Sequence, residues 1–265
     1  MTAAAFDEQA FAQALAANDL PAAQRLLAEA DAGDVIDHLD RLPAGDRAIA
    51  FRLLPKDEAV TVFDRLDAAS QAELVTRLRD DETASVFAQM DPDDRVDLLD
   101  ELPAVVASRL MRGLSPAERG LTATVLGYPK GSTGREMSPE VAVVPQDMDA
   151  ATALRRVLDR LYDSETVYTI AVSDGTRRLI GVISLRDLLA AEPDTLMAEL
   201  AQKADRALAT EPAEVAARRV ADRRRLALPV VDSEDRILGI LTVDDALDIL
   251  ERAESEDQAR QGGTE

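Results

Sequence analysis

The sequence has no cysteine and a single histidine, His38. The first absence excludes disulfides and thiolate metal sites; the second excludes zinc or copper centres built from several imidazoles. A metal bound here would be held by oxygen, which favours magnesium or calcium. Aromatic residues are only 3% of the chain, so its cores must be packed from Leu, Val and Ala without large rings. Basic residues are the minority charge, with 30 Lys and Arg against 51 Asp and Glu and a formal net charge of -21. That balance argues against nucleic acid as a partner, because phosphate contacts need clustered Lys and Arg. It favours cations and basic surfaces. No window approaches the ~18 consecutive apolar residues of a membrane span, and the start, MTAAAFDEQAFAQ, lacks the basic and apolar regions of a signal peptide. A soluble, cytoplasmic chain is expected. The sequence carries no nucleophile–histidine pairing, phosphate-binding GxxxxGK[ST] loop or GxGxxG after a strand, so no enzyme is expected.

What is present begins with a repeat. The 265 residues suffice for two ordinary domains, and 46% of them are apolar. Leu42, Leu54, Leu66, Leu78, Met90, Leu102 and Leu114 recur every twelve residues. Three residues before each stand Leu39, Phe51, Phe63, Val75, Phe87, Leu99 and Met111. Four before most stand Ala50, Val62, Leu74, Val86, Leu98 and Leu110, with His38 breaking the series. Steps of three and four place these side chains on one helical face. Turn and cap formers follow the anchors, as in P43-A-G-D, P55-K-D-E, D67-A-A-S, D91-P-D-D and S115-P-A-E. Proline there stops one helix, and Asp or Ser accepts hydrogen bonds from free amides of the next. Helices of roughly two turns do not stand alone. They must stack, as in a helical solenoid. His38 is expected in the core or at its boundary, with no function.

The second half carries a different repeat. V167-Y-T-I-A-V-S-D-G-T-R-R-L-I-G-V-I-S-L-R-D-L-L189 superposes on R225-L-A-L-P-V-V-D-S-E-D-R-I-L-G-I-L-T-V-D-D-A-L247 at an offset of 58 without a gap. Each copy reads as a β-branched run, a polar turn, a second run and a helix opened by Ser184 or Thr242, that is, a hairpin followed by a capped helix. Amphipathic helices precede both, near 149–162 and 212–225. The order strand, helix, strand, strand, helix, twice over, is an α+β pair.

These phrases, with LPVVD, LGILTVDD and IGVISLRD the most telling, resemble a tandem pair of CBS domains. LGYPKGSTGREMSPEVAVV resembles the linker of the MgtE family of magnesium channels, and the twelve-residue repeat is similar to that family's N domain. The resemblance covers about residues 20–263. It implies a multidomain α and α+β protein: a superhelical N domain over 1–127, a linker over 128–136, CBS domains over 137–194 and 195–254, and the start of a connecting helix or tail over 255–265. It also implies a regulatory role for Mg2+, a homodimer formed through the CBS domains, and a transmembrane pore domain in a full-length protein whose cytosolic portion this chain would be.

The resemblance further implies a ligand set. In M90-D-P-D-D-R-V-D-L-L-D-E-L102 six of thirteen residues are acids, opposed only by Arg95. The family's N-domain metal positions fall on Asp93 and Asp97, and Gly134 would offer a backbone carbonyl. Asp245 and Asp248 would face them, while Glu214, Glu256 and Asp257 match further acidic ligands. Two acidic surfaces repel unless cations enter, so their association would depend on ion concentration, and magnesium is expected to slow proteolysis near residues 127–137. The run D222-R-R-R225 departs from the family by placing three arginines where acids are usual, which invites direct Arg–carboxylate pairs instead of an ion. CBS pairs also bind ATP or other adenine nucleotides. That reading selects Ser184 with Asp187 and Thr242 with Asp245 for the ribose, and Tyr168 and Ala227 beside the base. A soluble nucleotide-sensing adaptor, with the helical domain docking a protein, is the alternative function; a purely structural dimer is a third.

Overall fold

The computed structural model describes residues 6–17, 19–30, 32–78 and 80–262. It forms two compact units that divide between Arg119 and Gly120.

The first unit is helical: α1 Glu8–Ala16, α2 Leu20–Glu29, α3 Ala32–Arg41, α4 Ala44–Leu53, α5 Lys56–Asp64, α6 Ala68–Arg77, α7 Asp80–Phe87, α8 Pro92–Glu101, α9 Ala104–Gly113, and the start of α10 Pro116–Leu126. Beyond the α1–α2 pair, each helix packs chiefly on the next but one: α2, α4, α6 and α8 form one layer, and α3, α5, α7 and α9 the other. The structural repeat is therefore two helices and 24 residues, twice the period of the anchors. The anchors from Leu54 to Leu114 are all buried, as are Leu39, Phe51, Phe63, Val75, Phe87 and Leu99. Each such side chain removed from water contributes about 1.5–3 kcal/mol, which short helices need.

The helix starts differ in chemistry. Asp67 accepts from the amide of Ser70 at 2.9 Å. Ser115 and Glu118 form a reciprocal box, with the Glu118 amide donating to Ser115 Oγ and the Ser115 amide to Glu118 Oε2, at 3.2 and 2.7 Å. Hydrogen bonds from the Ser115 hydroxyl and then its amide hold the Glu118 carboxyl below its ordinary pKa. Pro43, Pro55 and Pro103 occupy the N-cap without a side-chain bond, and Asp91 makes no such bond to α8 either.

A second repeat runs through polar residues that are buried at Arg47, Gln71 and Arg95 and exposed at Arg119. Arg47 donates from Nε to the carbonyl of Leu39 at 2.8 Å, Gln71 from Nε2 to Phe63 at 2.8 Å, Arg95 from Nε to Phe87 at 2.9 Å, and Arg119 from Nε to Met111 at 3.0 Å. Every rung reaches back eight residues, and the rungs are 24 apart. Each satisfies a carbonyl at the end of the preceding helix, where four such groups lack intrahelical partners. The arginines add a second carbonyl through Nη2, Leu42 for Arg47, Ala88 for Arg95 and Leu114 for Arg119.

The second unit holds two three-stranded sheets. In the first, β1 Val143–Pro145 runs parallel to β2 Thr169–Ser173, which pairs antiparallel with β3 Leu179–Ser184. In the second, β4 Ala207–Leu208, β5 Ala227–Val231 and β6 Ile237–Thr242 repeat that order. Helices α11 Ala150–Asp159 and α12 Leu185–Ala190 belong to the first copy, α14 Ala213–Arg223 and α15 Val243–Gly262 to the second, with the single turn α13 Met197–Leu200 between them. The offset of 58 holds in detail. Asp174 accepts from the amides of Thr176 and Arg178, and Asp232 from those of Glu234 and Arg236. Arg177 and Asp235 both adopt positive φ, at 68° and 62°. The two turns also pair with each other, because the amide of Leu179 donates to Asp235 and that of Ile237 to Arg177.

Each copy is completed by the segment leading into the other. Ser138, ahead of β1, exchanges two hydrogen bonds with Ile240 in β6; Gln202, ahead of β4, exchanges two with Val182 in β3. Gly181 and Gly239 permit this approach. A Cβ on them would lie 2.4 Å from the carbonyl oxygens of Gln202 and Ser138.

Candidate functional site

Asp93 and Asp97 stand one turn apart on α8, both half-buried. The Arg95 between them turns inward to the carbonyls of Phe87 and Ala88.

The other acidic locus is the start of α15. Thr242, buried at the end of β6, donates its hydroxyl to Asp245 Oδ2 at 2.5 Å and its amide to the same oxygen at 3.2 Å. Asp245 is half-buried. Burial pushes its carboxyl up to about 6, against the Thr242 hydrogen bonds, and the neighbouring Asp244 and Asp248 push the same way. Among the described residues no Lys or Arg pairs with it. Asp248, one turn on, is exposed.

The remaining acids are placed differently. Glu214, in the first turn of α14, takes Arg218 Nη2 at 2.6 Å. Glu256 and Asp257 fall on the last part of α15, and their side chains lie outside the described residues. The amide of Gly134 donates to Ala209 at 2.8 Å, and its Cα lies so close to the Tyr128 ring that a Cβ would be 2.6 Å from it. Two arginines of the run are committed to a carboxylate: Arg223 and Arg225 both reach Asp205. Among the described residues no three His, Asp or Glu side chains come together as a metal site.

The nucleotide candidates gather in each copy where the hairpin meets its helix. Ser184 caps α12, accepting the Asp187 amide at 3.0 Å and donating its hydroxyl to Asp187 Oδ2 at 2.7 Å. Tyr168, Leu185, Arg186, Leu189 and Ala190 line an open cleft of about 460 Å³. Ala227 is buried inside the second sheet, 4% exposed, and pairs with Thr242. The residue in the place of Tyr168 is Leu226: the Leu185 amide donates to the Tyr168 carbonyl, and the Val243 amide to that of Leu226. Both are exposed, at 65% and 60%.

A family model for the MgtE intracellular N domain matches residues 7–131, and one for the CBS domain matches 135–194 and 207–252. The solved cytosolic domain of the Mg2+ channel MgtE in complex with ATP superposes with a TM-score of 0.85 at 33% identity, covering 92% of this chain and 100% of that one. The chain belongs to the MgtE family. The magnesium transporter MgtE of Thermus thermophilus is 38% identical over 260 residues, which are 96% of this chain and 57% of the relative. The chain thus spans little more than half the length of that relative. A second structure, the soluble part of a magnesium transporter, superposes with a TM-score of 0.78 at 27% identity, covering 92% of this chain and 96% of that one. Among the described residues no helix is long and apolar enough to cross a membrane.

Sequence reasoning placed Tyr168 opposite Ala227, whereas the offset of 58 gives Leu226. That signal was in the alignment of the two copies. It also passed over the ladder of Arg47, Gln71, Arg95 and Arg119, whose 24-residue spacing is visible once polar positions are aligned as the apolar ones were.

Proposed function

We propose that this MgtE-family chain is the magnesium-sensing regulatory region of a magnesium channel or transporter, on the cytoplasmic side of the membrane and joined to a pore domain. Divalent ions bridge the acids of α8, Asp93 and Asp97, to Asp245 and Asp248 at the start of α15 and favour a compact, pore-closed state; CBS pairing makes the assembly a homodimer. One observation carries the reading: Asp245 is a half-buried carboxylate flanked by Asp244 and Asp248 and answered by no basic side chain among the described residues. Burial and like charge both raise the cost of its ionised form. A hydrated divalent cation lowers that cost, so the ion-bound arrangement is favoured only where magnesium is supplied. In linkage terms magnesium shifts the equilibrium by its tighter binding to one state. Small-angle scattering tests it. The wild type should contract on going from chelator to millimolar magnesium, and Asp93→Asn with Asp245→Asn should not. Identical profiles for the wild type in the two conditions would refute the sensing role.

An adenine nucleotide is a second ligand that the geometry favours. Exposed Tyr168 lines an open cleft with Leu185, Arg186, Leu189 and Ala190 of α12, the helix that Ser184 caps and that carries Asp187. The solved relative named above holds ATP. Calorimetric titration with ATP should give saturable binding to the wild type and a loss of about tenfold or more in Asp187→Ala, since a charge-assisted bond to a ribose hydroxyl is worth roughly 1.5–3 kcal/mol. Absence of heat with ATP would refute this reading alone.

A further inference from the structure

We infer that the joint between the two units is not the linker but helix α10, at Gly120. The inference rests on the reading that the units change their arrangement with magnesium, and it names where that change is absorbed.

The linker is not free to act as a tether. The Thr133 amide donates to Glu211 and the Gly134 amide to Ala209, both at 2.8 Å; the Ala213 amide donates to Gly131 at 2.9 Å, and Ser138 is paired in both directions with Ile240. Ser132, Thr133, Arg135, Met137 and Ser138 are all buried. Glu136 accepts Arg252 Nη2 of α15 at 2.5 Å. Segments with this density of bonds open only with the fold around them. From Gly131 onward the linker moves as part of the second CBS copy.

Helix α10 is built differently. Its first turn is fastened to α9, because Arg119 donates to the carbonyls of Met111, Arg112 and Leu114 and Ser115 and Glu118 box the helix start. Its last turn is fastened to the linker, because Arg135 Nη1 donates to the carbonyls of Leu126 and Tyr128 at 3.1 and 3.3 Å. Gly120 lies just beyond the Arg119 anchor, where the two units divide. It is exposed, and a Cβ there would meet nothing within 4 Å. No close approach therefore requires glycine at this position. What glycine contributes is looseness, since it weakens a helix interior relative to alanine. The Gly120 carbonyl also takes the Thr124 hydroxyl at 2.9 Å, a back-bond that weakens and bends helices. One helix with its ends fixed to different bodies, and its weakest turn between them, is a hinge.

Amide hydrogen exchange on the full chain in chelator tests this without reference to magnesium. The amides of Thr133, Gly134 and Ser138 should exchange as slowly as those of the β5–β6 ladder, and those of residues 121–124 much faster. Gly120→Ala should slow residues 121–124 about five-fold, the equivalent of about 1 kcal/mol of helix propensity. Faster exchange in the linker than at 121–124, or no effect of Gly120→Ala, would overturn the inference. A staple separates it from the sensing reading. Ser132 and Pro212 face each other as an antiparallel bridge, a spacing suited to a disulfide, and the chain has no other cysteine. Oxidised Ser132→Cys/Pro212→Cys protein should keep the whole magnesium-dependent contraction, and loss of contraction on oxidation would put the joint back in the linker. A wild type that does not contract refutes sensing and leaves the exchange result to decide the hinge.

Discussion

Arg95 reaches back eight residues to the carbonyl of Phe87 and sits buried, although it is the one basic residue among the six acids of 90–102. Its charge serves the fold of the helical unit before it serves any surface. Replacing it with Met keeps the stem and leaves the carbonyls of Phe87 and Ala88 without their donor. Each buried group left so costs about 1–3 kcal/mol. Arg95→Met should lower the stability of the N-terminal unit by about 2–4 kcal/mol in urea unfolding. Arg95→Gln should lose less, because Gln71 fills the same rung with one bond.

His38 makes the same unit sensitive to acid. Its ring packs against Phe6 and Phe11 with centroids 4.9 and 5.5 Å away. Burial lowers its pKa from 6.5, Glu8 opposes that shift, and Arg41 adds to it. The unfolded chain therefore takes up the proton first. Stability is fully present above about pH 6.5 and falls as pH drops from there towards the lowered folded value. Urea midpoints at pH 7.5 and 5.5 should differ more for the wild type than for His38→Phe. Equal differences in the two proteins would contradict this.

Asp245→Asn should act in opposite directions with and without magnesium. Asparagine still accepts from Thr242 and carries no charge to desolvate beside Asp244 and Asp248. In chelator its melting temperature should rise by several degrees, as expected for about 1–2 kcal/mol. The further rise that magnesium gives the wild type should vanish. A mutant that melts below the wild type in chelator would show that the carboxylate is structural.

Gly239→Ala should disrupt the second sheet. The added carbon would meet the Ser138 carbonyl at 2.4 Å and the Met137 sulfur at 2.8 Å, and the backbone oxygen cannot move without breaking both bonds to Ile240. A loss of about 2–4 kcal/mol is expected, with Ser138 and Ile240 amides losing exchange protection. Gly120→Ala, where the space is open, is the control that should not destabilise.

Much of this was legible in the primary structure. Leu54 to Leu114 marked the helices, and the match of Asp174 to Asp232 and Gly181 to Gly239 marked the two copies, because periodicity and turn chemistry are local properties. The partner of each helix was not legible. Leu66 and Leu78 look alike in the repeat, yet their helices α5 and α6 lie in different layers, and only tertiary packing separates them. What the linker bonds to was not legible for the same reason: G131-S-T-G134 has turn residues, but its bonds go to Ala209, Glu211 and Ala213, about 80 residues away. Glu214 reads as a free acid until Arg218 is seen on the next turn.

The exchange of lead-in segments limits how the second unit can be divided. Ser138 completes the sheet of the later copy and Gln202 that of the earlier one, so a fragment cut between the copies would take one lead-in away from the strand it covers. Each half would then present a bare strand edge to solvent, the usual template for unwanted self-association. The two copies are obliged to fold together, and a single copy would have to borrow its missing lead-in from a twin.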